Sequence, residues 1–317
     1  MDILSFWNQM TANPLLFIAV LLTLGVILVN GWTDAPNAIT GCVCSGALSM
    51  KKAVALASIC NFLGVTLSSV LFPTVAKNIF ETAGVTGGAL CASLLSVIIM
   101  AVSAWCFGIP TSESHAIIAS LAGASLAIGK SISTKLIFMT VSGLIISVIG
   151  GFVAGFFIYG KFKKVKIKKW HEVVGAGLMS FMHGAQDGQK FISILLLAFG
   201  ISGTFKIPIW AVFTCSAVMT LGTALGGGRI IEKVGREMVT TDSATSVSSD
   251  IAGGMSILMS TVLGLPVSTT HAKTASIMGC GYRQKSINKK TMRQMIAAWL
   301  ITFPVCFILG FIFAELF

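Results

Sequence analysis

Gly108-Ile109-Pro110-Thr111-Ser112-Glu113-Ser114-His115-Ala116 returns 156 residues later as Gly264-Leu265-Pro266-Val267-Ser268-Thr269-Thr270-His271-Ala272. A second string behaves the same way. Asn30-Gly31-Trp32-Thr33-Asp34-Ala35-Pro36-Asn37 is echoed, 153 residues on, by His183-Gly184-Ala185-Gln186-Asp187-Gly188-Gln189-Lys190. Two motifs in the same order, each displaced by about half of the 317 residues, mark an internal duplication.

The motifs sit in strongly apolar surroundings. The chain is 55% hydrophobic and 10% charged, with a mean hydropathy of +0.90, against about 25% charged in an ordinary soluble domain. That excludes a soluble enzyme, and it turns the net charge of +11 from a nucleic-acid signal into one of membrane orientation. Apolar runs predict helices near residues 15–31, 53–75, 88–107, 112–129, 135–160, 172–186, 207–225, 246–263, 266–281 and 294–315. The expected fold is therefore all-α, a polytopic membrane protein of about ten spans plus broken half-helices after Pro36 and after Lys190. The first run reads as a retained helix rather than a secretory leader, and the eight cysteines show no metal-site spacing.

An odd number of crossings per half makes the second half enter the membrane from the opposite side. Two inverted-topology repeats follow, residues 1–160 and 172–317, joined by a basic linker at 161–171. The loops on the linker's side carry 16 Lys and Arg against four (Lys77, Lys130, Lys135, Lys206) on the other, so that side is cytoplasmic and both termini lie outside a cell membrane. The run Lys161–Lys169 anchors this topology and is suited to touching anionic lipid.

Ionised groups inside a membrane need partners or water, which singles out Asp34, Glu113, Asp187 and Lys190. Asp34 and Asp187, at matching points of the two halves, suit a hard coupling cation such as sodium. Lys190 either faces an anion or neutralises Asp187. Proline fits a helix's first turn, so helices are expected to start at Pro110 and Pro266, with their N-termini converging at mid-membrane as an anion site. The hydroxyls of Thr111, Ser112, Ser114, Ser268, Thr269 and Thr270 add donors there. His115, His183 and His271 are read first as hydrogen-bonded packing residues.

At these residues the chain resembles the inorganic phosphate transporter (PiT) family, whose halves each carry a Gly-Ala-Asn-Asp-like signature and a Pro-x-Ser-Thr-Thr-His element. The resemblance runs over both halves and is closest at Gly264 to His271. It implies a secondary symporter, not an enzyme, that takes up phosphate with sodium or protons and works as a homodimer without a cofactor. Asp34, Asp187 and Asn37 would serve the cation, and Gln189, Ser112, Ser268, Thr269 and Thr270 the anion. This chain departs from the family where Thr33 and Gln186 stand for asparagine, where Trp32 stands for a small residue, and where Glu113 stands for a hydroxyl. An ionised carboxylate beside a divalent oxyanion needs a proton or cation between them, which places Glu113 with the coupling groups. The rival readings are a sulfate permease of the same build, an anion channel, and an intramembrane metalloenzyme, the last lacking a His-Glu-x-x-His motif.

Overall fold

The computed structural model describes residues 3–83, 85–130, 132–199 and 206–317. These form helices joined by short connections, with no strand among the described residues. The first half holds α1 (Ile3–Ala12), α2 (Pro14–Thr33), α3 (Pro36–Cys44), α4 (Met50–Leu71), α5 (Thr74–Ala83), α6 (Gly87–Cys106), α7 (Glu113–Ala127) and α8 (Thr134–Phe162). The second holds α9 (Lys169–Ala198), α10 (Ile209–Ala224), α11 (Gly228–Glu232), α12 (Ser243–Val262), α13 (Thr269–Gln284) and α14 (Lys289–Phe313). After α11 the helix widens through Lys233–Met238.

The expected ten crossings are met by length and hydropathy in five spans among the described residues: Pro14–Cys44, Met50–Leu71, Gly87–Cys106, Thr134–Phe162 and Lys289–Leu316. A sixth is added if Ile209–Ala224 and Gly228–Met238, bent by 64°, count as one broken span. The shortfall has a physical origin. Helices α7 and α13, of 15 and 16 residues, reach about 22–24 Å, short of the ~30 Å apolar layer. Helices α9 and α12 are long enough but carry buried Asp, Gln, Lys and Ser.

The two expected breaks are unequal. Between α2 and α3 the chain makes a two-residue turn at Asp34 and Ala35, because Pro36 supplies no N–H to the ladder. At the matching place α9 runs unbroken through Asp187 to Ala198, correcting the half-helix expected after Lys190. Gln189 stands where the first half has Pro36, and its N–H lets the helix continue.

Packing is reciprocal between the halves. Helix α4 lies on α9 as α10 lies on α2; α8 lies on α13 as α14 lies on α7; α12 meets α8 as α6 meets α14. The close crossings are made by glycines at matching positions. A Cβ on Gly222 would come within 2.1 Å of the Leu28 carbonyl oxygen, and one on Gly184 within 2.4 Å of that of Asn61. On Gly123 it would meet the Phe307 oxygen at 1.9 Å, and on Gly279 the Phe152 oxygen at 2.1 Å. Their counterparts across each interface, Gly31, Gly64, Gly310 and Gly155, are as tightly pressed. Small residues that let backbones touch are how helices associate without a water-driven core.

Candidate functional site

The two repeated Gly-x-Pro strings build the same device twice. After α6 and after α12 the chain turns through Gly108 (φ +66°) and Gly264 (φ +68°), a left-handed conformation that favours glycine. It then runs extended to Ser112 and Ser268, whose hydroxyls cap α7 and α13 by accepting the N–H of His115 (3.4 Å) and of His271 (3.1 Å). The helices thus begin after these serines rather than at Pro110 and Pro266. The prolines fall two residues ahead of the caps, in the extended approach. His115 and His271 stack at 5.1 Å between ring centroids, flanked by Phe303 and Trp299. Neither ring has a hydrogen-bond partner among the described residues, so packing holds them.

The acids gather beside these helix starts. Asn30 Nδ2 donates to Asp34 Oδ2 (3.4 Å) and to Asp187 Oδ2 (3.2 Å), bridging the matching aspartates of the two halves. Thr33 donates to Glu113 Oε1 (3.0 Å) and lies 3.4 Å from Asp34 Oδ1, which brings the third carboxylate into the group. Asp187 Oδ2 accepts from Thr269 (3.0 Å), and His183 Nε2 stands 3.4 Å away, its ring set from behind by Asn61 Oδ1 at 2.9 Å from Nδ1. Asn37 binds the Asp34 carbonyl (3.1 Å) and the Thr270 hydroxyl (3.3 Å). One ligand atom each from Asp34, His183 and Asp187 lie within 4.8 Å of one another, close enough to hold a single ion.

Lys190 ties this group to the helix starts. Its ammonium pairs with Asp187, donates to Ser114, and donates to the Val267 carbonyl (2.7 Å). All three acids and the lysine are nearly inaccessible. With His183 neutral and the rest ionised, three carboxylates against one ammonium leave a buried charge of about −2, which cations or protons must balance.

Most of the expected residues therefore converge: Asp34, Asn37, Glu113, Ser114, Asp187, Lys190, Thr269 and Thr270 share one network, with Thr111, Ser112 and Ser268 buried at its helix starts. Gln189 stands apart. Its side-chain oxygen accepts the N–H groups of Val75 (3.0 Å) and Ala76 (3.3 Å), capping α5. The space beside Lys190, Ser114 and Pro266, otherwise lined by apolar side chains, amounts to about 20 Å³, room for about one water and not for a tetrahedral oxyanion. In this conformation Ser114 and Lys190 are bound to each other, and Thr269 and Thr270 to Asp187 and Asn37.

Sequence reasoning passed over Asn30 and Asn61, whose amides look unremarkable inside apolar runs. It also passed over a second buried group, Glu172, Asp250 and Lys273, which an ionisable-residue search within the predicted spans would have found.

The profile of the phosphate transporter family matches residues 30–173 and 163–310. The chain is 34% identical to the probable low-affinity inorganic phosphate transporter of Bacillus subtilis, over 93% of this chain and 95% of that one. It is 31% identical to that of Rhizobium meliloti, over 92% and 93%. Among solved structures, one titled "The sodium-dependent phosphate transporter" superposes with a TM-score of 0.78 at 19% identity, covering 96% of this chain and 99% of that one. The fold is thus that of a known transporter.

Proposed function

This chain belongs to the phosphate transporter family, and we propose that it carries inorganic phosphate across the cell membrane by symport, with sodium as the coupling cation. The observation that carries the reading is the Asn30 bridge. One amide joins Asp34 and Asp187, drawn from matching positions of the two halves, into a single buried group. Oxygen ligands of negative charge suit a hard monovalent cation, and the like-named relatives supply the anion.

The phosphate enters between the starts of α7 and α13, whose N–H dipoles and hydroxyls favour an oxyanion. Admitting it requires Lys190 and Ser114 to exchange each other for the anion. Hydrogen phosphate carries a proton that a carboxylate accepts and sulfate carries none, which favours phosphate over sulfate in a site so rich in acids. Cations neutralise the acids as the anion arrives, so neither moves alone.

A second reading, in which a proton replaces one sodium ion, rests on Glu113. It stands beside Asp34 through Thr33, and its Oε2 has no hydrogen-bond partner among the described residues. Protonated, it is a donor to the anion.

The repeats are read as inverted, related by a twofold axis in the membrane plane, with the basic loops cytoplasmic and both termini outside. The reciprocal packing of the halves supports a twofold relation between them, and the excess of basic residues in the loops on one side supports the orientation. Uptake of labelled phosphate into proteoliposomes, with and without an inward sodium gradient, tests the whole. Accumulation above equilibrium is expected only with the gradient. Uptake that equilibrates regardless of any cation gradient would overturn coupled transport.

A further inference from the structure

At the ends that carry the basic loops, the first Gly-x-Pro string is fastened to α11. Arg229 Nη1 donates to the Cys106 carbonyl (3.2 Å), and the Arg229 backbone oxygen presses on Gly108, 3.0 Å from where a Cβ would stand. The second string has the matching fastening. Thr74, at the start of α5, donates to the Thr261 carbonyl (2.6 Å), and donor and acceptor each lie 155 residues from their counterparts in the other pair. A hydroxyl makes this bond in one half, so the guanidinium that makes it in the other brings a charge the bond does not need.

No carboxylate neutralises that charge. Lys233 pairs with Glu237 (2.7 Å) and Arg236 with Glu232 (3.1 Å), so the glutamates of this stretch have their own bases, and Arg229 has no acidic partner among the described residues. Its guanidinium lies over the Trp105 ring, 4.5 Å from the centroid, and Trp105 packs on Trp32 at 4.3 Å. Trp32 precedes Thr33, whose hydroxyl binds Glu113, so the stack leads from an exposed arginine to the central group. Arg229 also lines a cavity of about 460 Å³, together with Cys106, Gly108, Glu232, Lys233 and Glu237. With its glutamates paired, that cavity carries one positive charge in excess. A guanidinium offering parallel N–H bonds fits the oxygens of a phosphate, and a ring beneath it holds it flat. We propose that Arg229 binds phosphate at the mouth of the transport path on the side of the basic loops, an anion subsite separate from the helix starts at Ser112 and Ser268. The inference rests on the reading of a phosphate carrier.

Cys106, exposed in the same cavity, reports on it. In the purified full-length protein with the other cysteines replaced by serine, inorganic phosphate should slow alkylation of Cys106 by a thiol reagent. Arg229→Thr, which puts the hydroxyl of the matching half in place of the charge, should abolish the protection. Arg229→Lys should restore it at about tenfold higher phosphate, the charge being kept and the fork lost. Phosphate that leaves Cys106 unprotected, or that protects it equally in Arg229→Thr, overturns the subsite, and the carrier reading stands if the same protein still takes up labelled phosphate in proteoliposomes. A protein that neither protects Cys106 nor takes up phosphate overturns both. Should Arg229→Thr fail to fold, Arg229→Lys decides, and protection at an unchanged phosphate concentration overturns the subsite.

Discussion

Asp34 and Asp187 differ in their surroundings although they occupy matching positions. Asp187 pairs with an ammonium and lies against a threonine and a histidine, whereas the side-chain hydrogen bonds of Asp34 among the described residues come from an amide and a hydroxyl. Asp34→Asn should therefore reduce sodium-driven uptake tenfold or more while shifting the melting temperature little, since Asn30 and Thr33 can still bond an amide. Asp187→Asn should reduce uptake as strongly and also destabilise the protein, because Lys190 is left buried without its counter-charge. Uptake and thermal melting on the same two variants check this pair. Glu113→Thr restores the hydroxyl that the second half carries at Thr269. If Glu113 carries a proton, the pH profile of uptake flattens in the variant, and an unchanged profile assigns Glu113 to helix packing. Asp34, Glu113 and Asp187 were legible in the sequence because a charge within a repeated motif in an apolar run has no cheap structural role, whereas Glu172 and Asp250, outside the repeated strings, were passed over. Asn30 was not legible, because a lone amide costs little in a helix and only the folded chain shows that it faces two carboxylates from different halves.

The unbroken course of α9 shows why the motif resemblance misled about local geometry. The eye reads Asp187 against Asp34, but the helix reads Gln189 against Pro36, and only proline removes a rung. That same Gln189 is spent on the start of α5. Gln189→Ala should cost about 1–2 kcal/mol of stability through the lost cap while leaving the half-saturating phosphate concentration unchanged. A raised concentration with an unchanged melting temperature would instead place Gln189 on the anion. The glycine crossings make a sharper prediction. Gly222→Val drives a side chain into the Leu28 carbonyl and should destabilise by about 1–3 kcal/mol or more. Gly254→Ala, where a Cβ meets nothing within 4 Å, should be neutral or slightly stabilising. Thermal unfolding of the purified variants separates the two. Nothing in the sequence distinguishes these glycines, since the chain has 33 and only their opposing backbones tell them apart.

For the whole molecule, the duplication was legible because two motifs kept their order and spacing. Length and hydropathy account for five or six of the ten expected crossings among the described residues, because α7 and α13 are short and α9 and α12 carry buried polar groups. Orientation is checked by single cysteines placed in a cysteine-free background. A membrane-impermeant thiol reagent added outside intact cells should label a cysteine at Asn8 and spare one at Lys166. The reciprocal packing also bears on how the protein is made. Helix α7 finds its neighbour α14 only after about 160 further residues have been synthesised, and at 5–20 residues per second that is a wait of roughly 8–30 s. Until then the Ser120 and Gly123 face of α7 lacks the backbone of Phe307 and Gly310 that packs on it in the folded chain. A chain halted before Lys289 therefore lacks one of the backbone-to-backbone crossings that join the halves, and the pairing of the two repeats is completed only when α14 has been made.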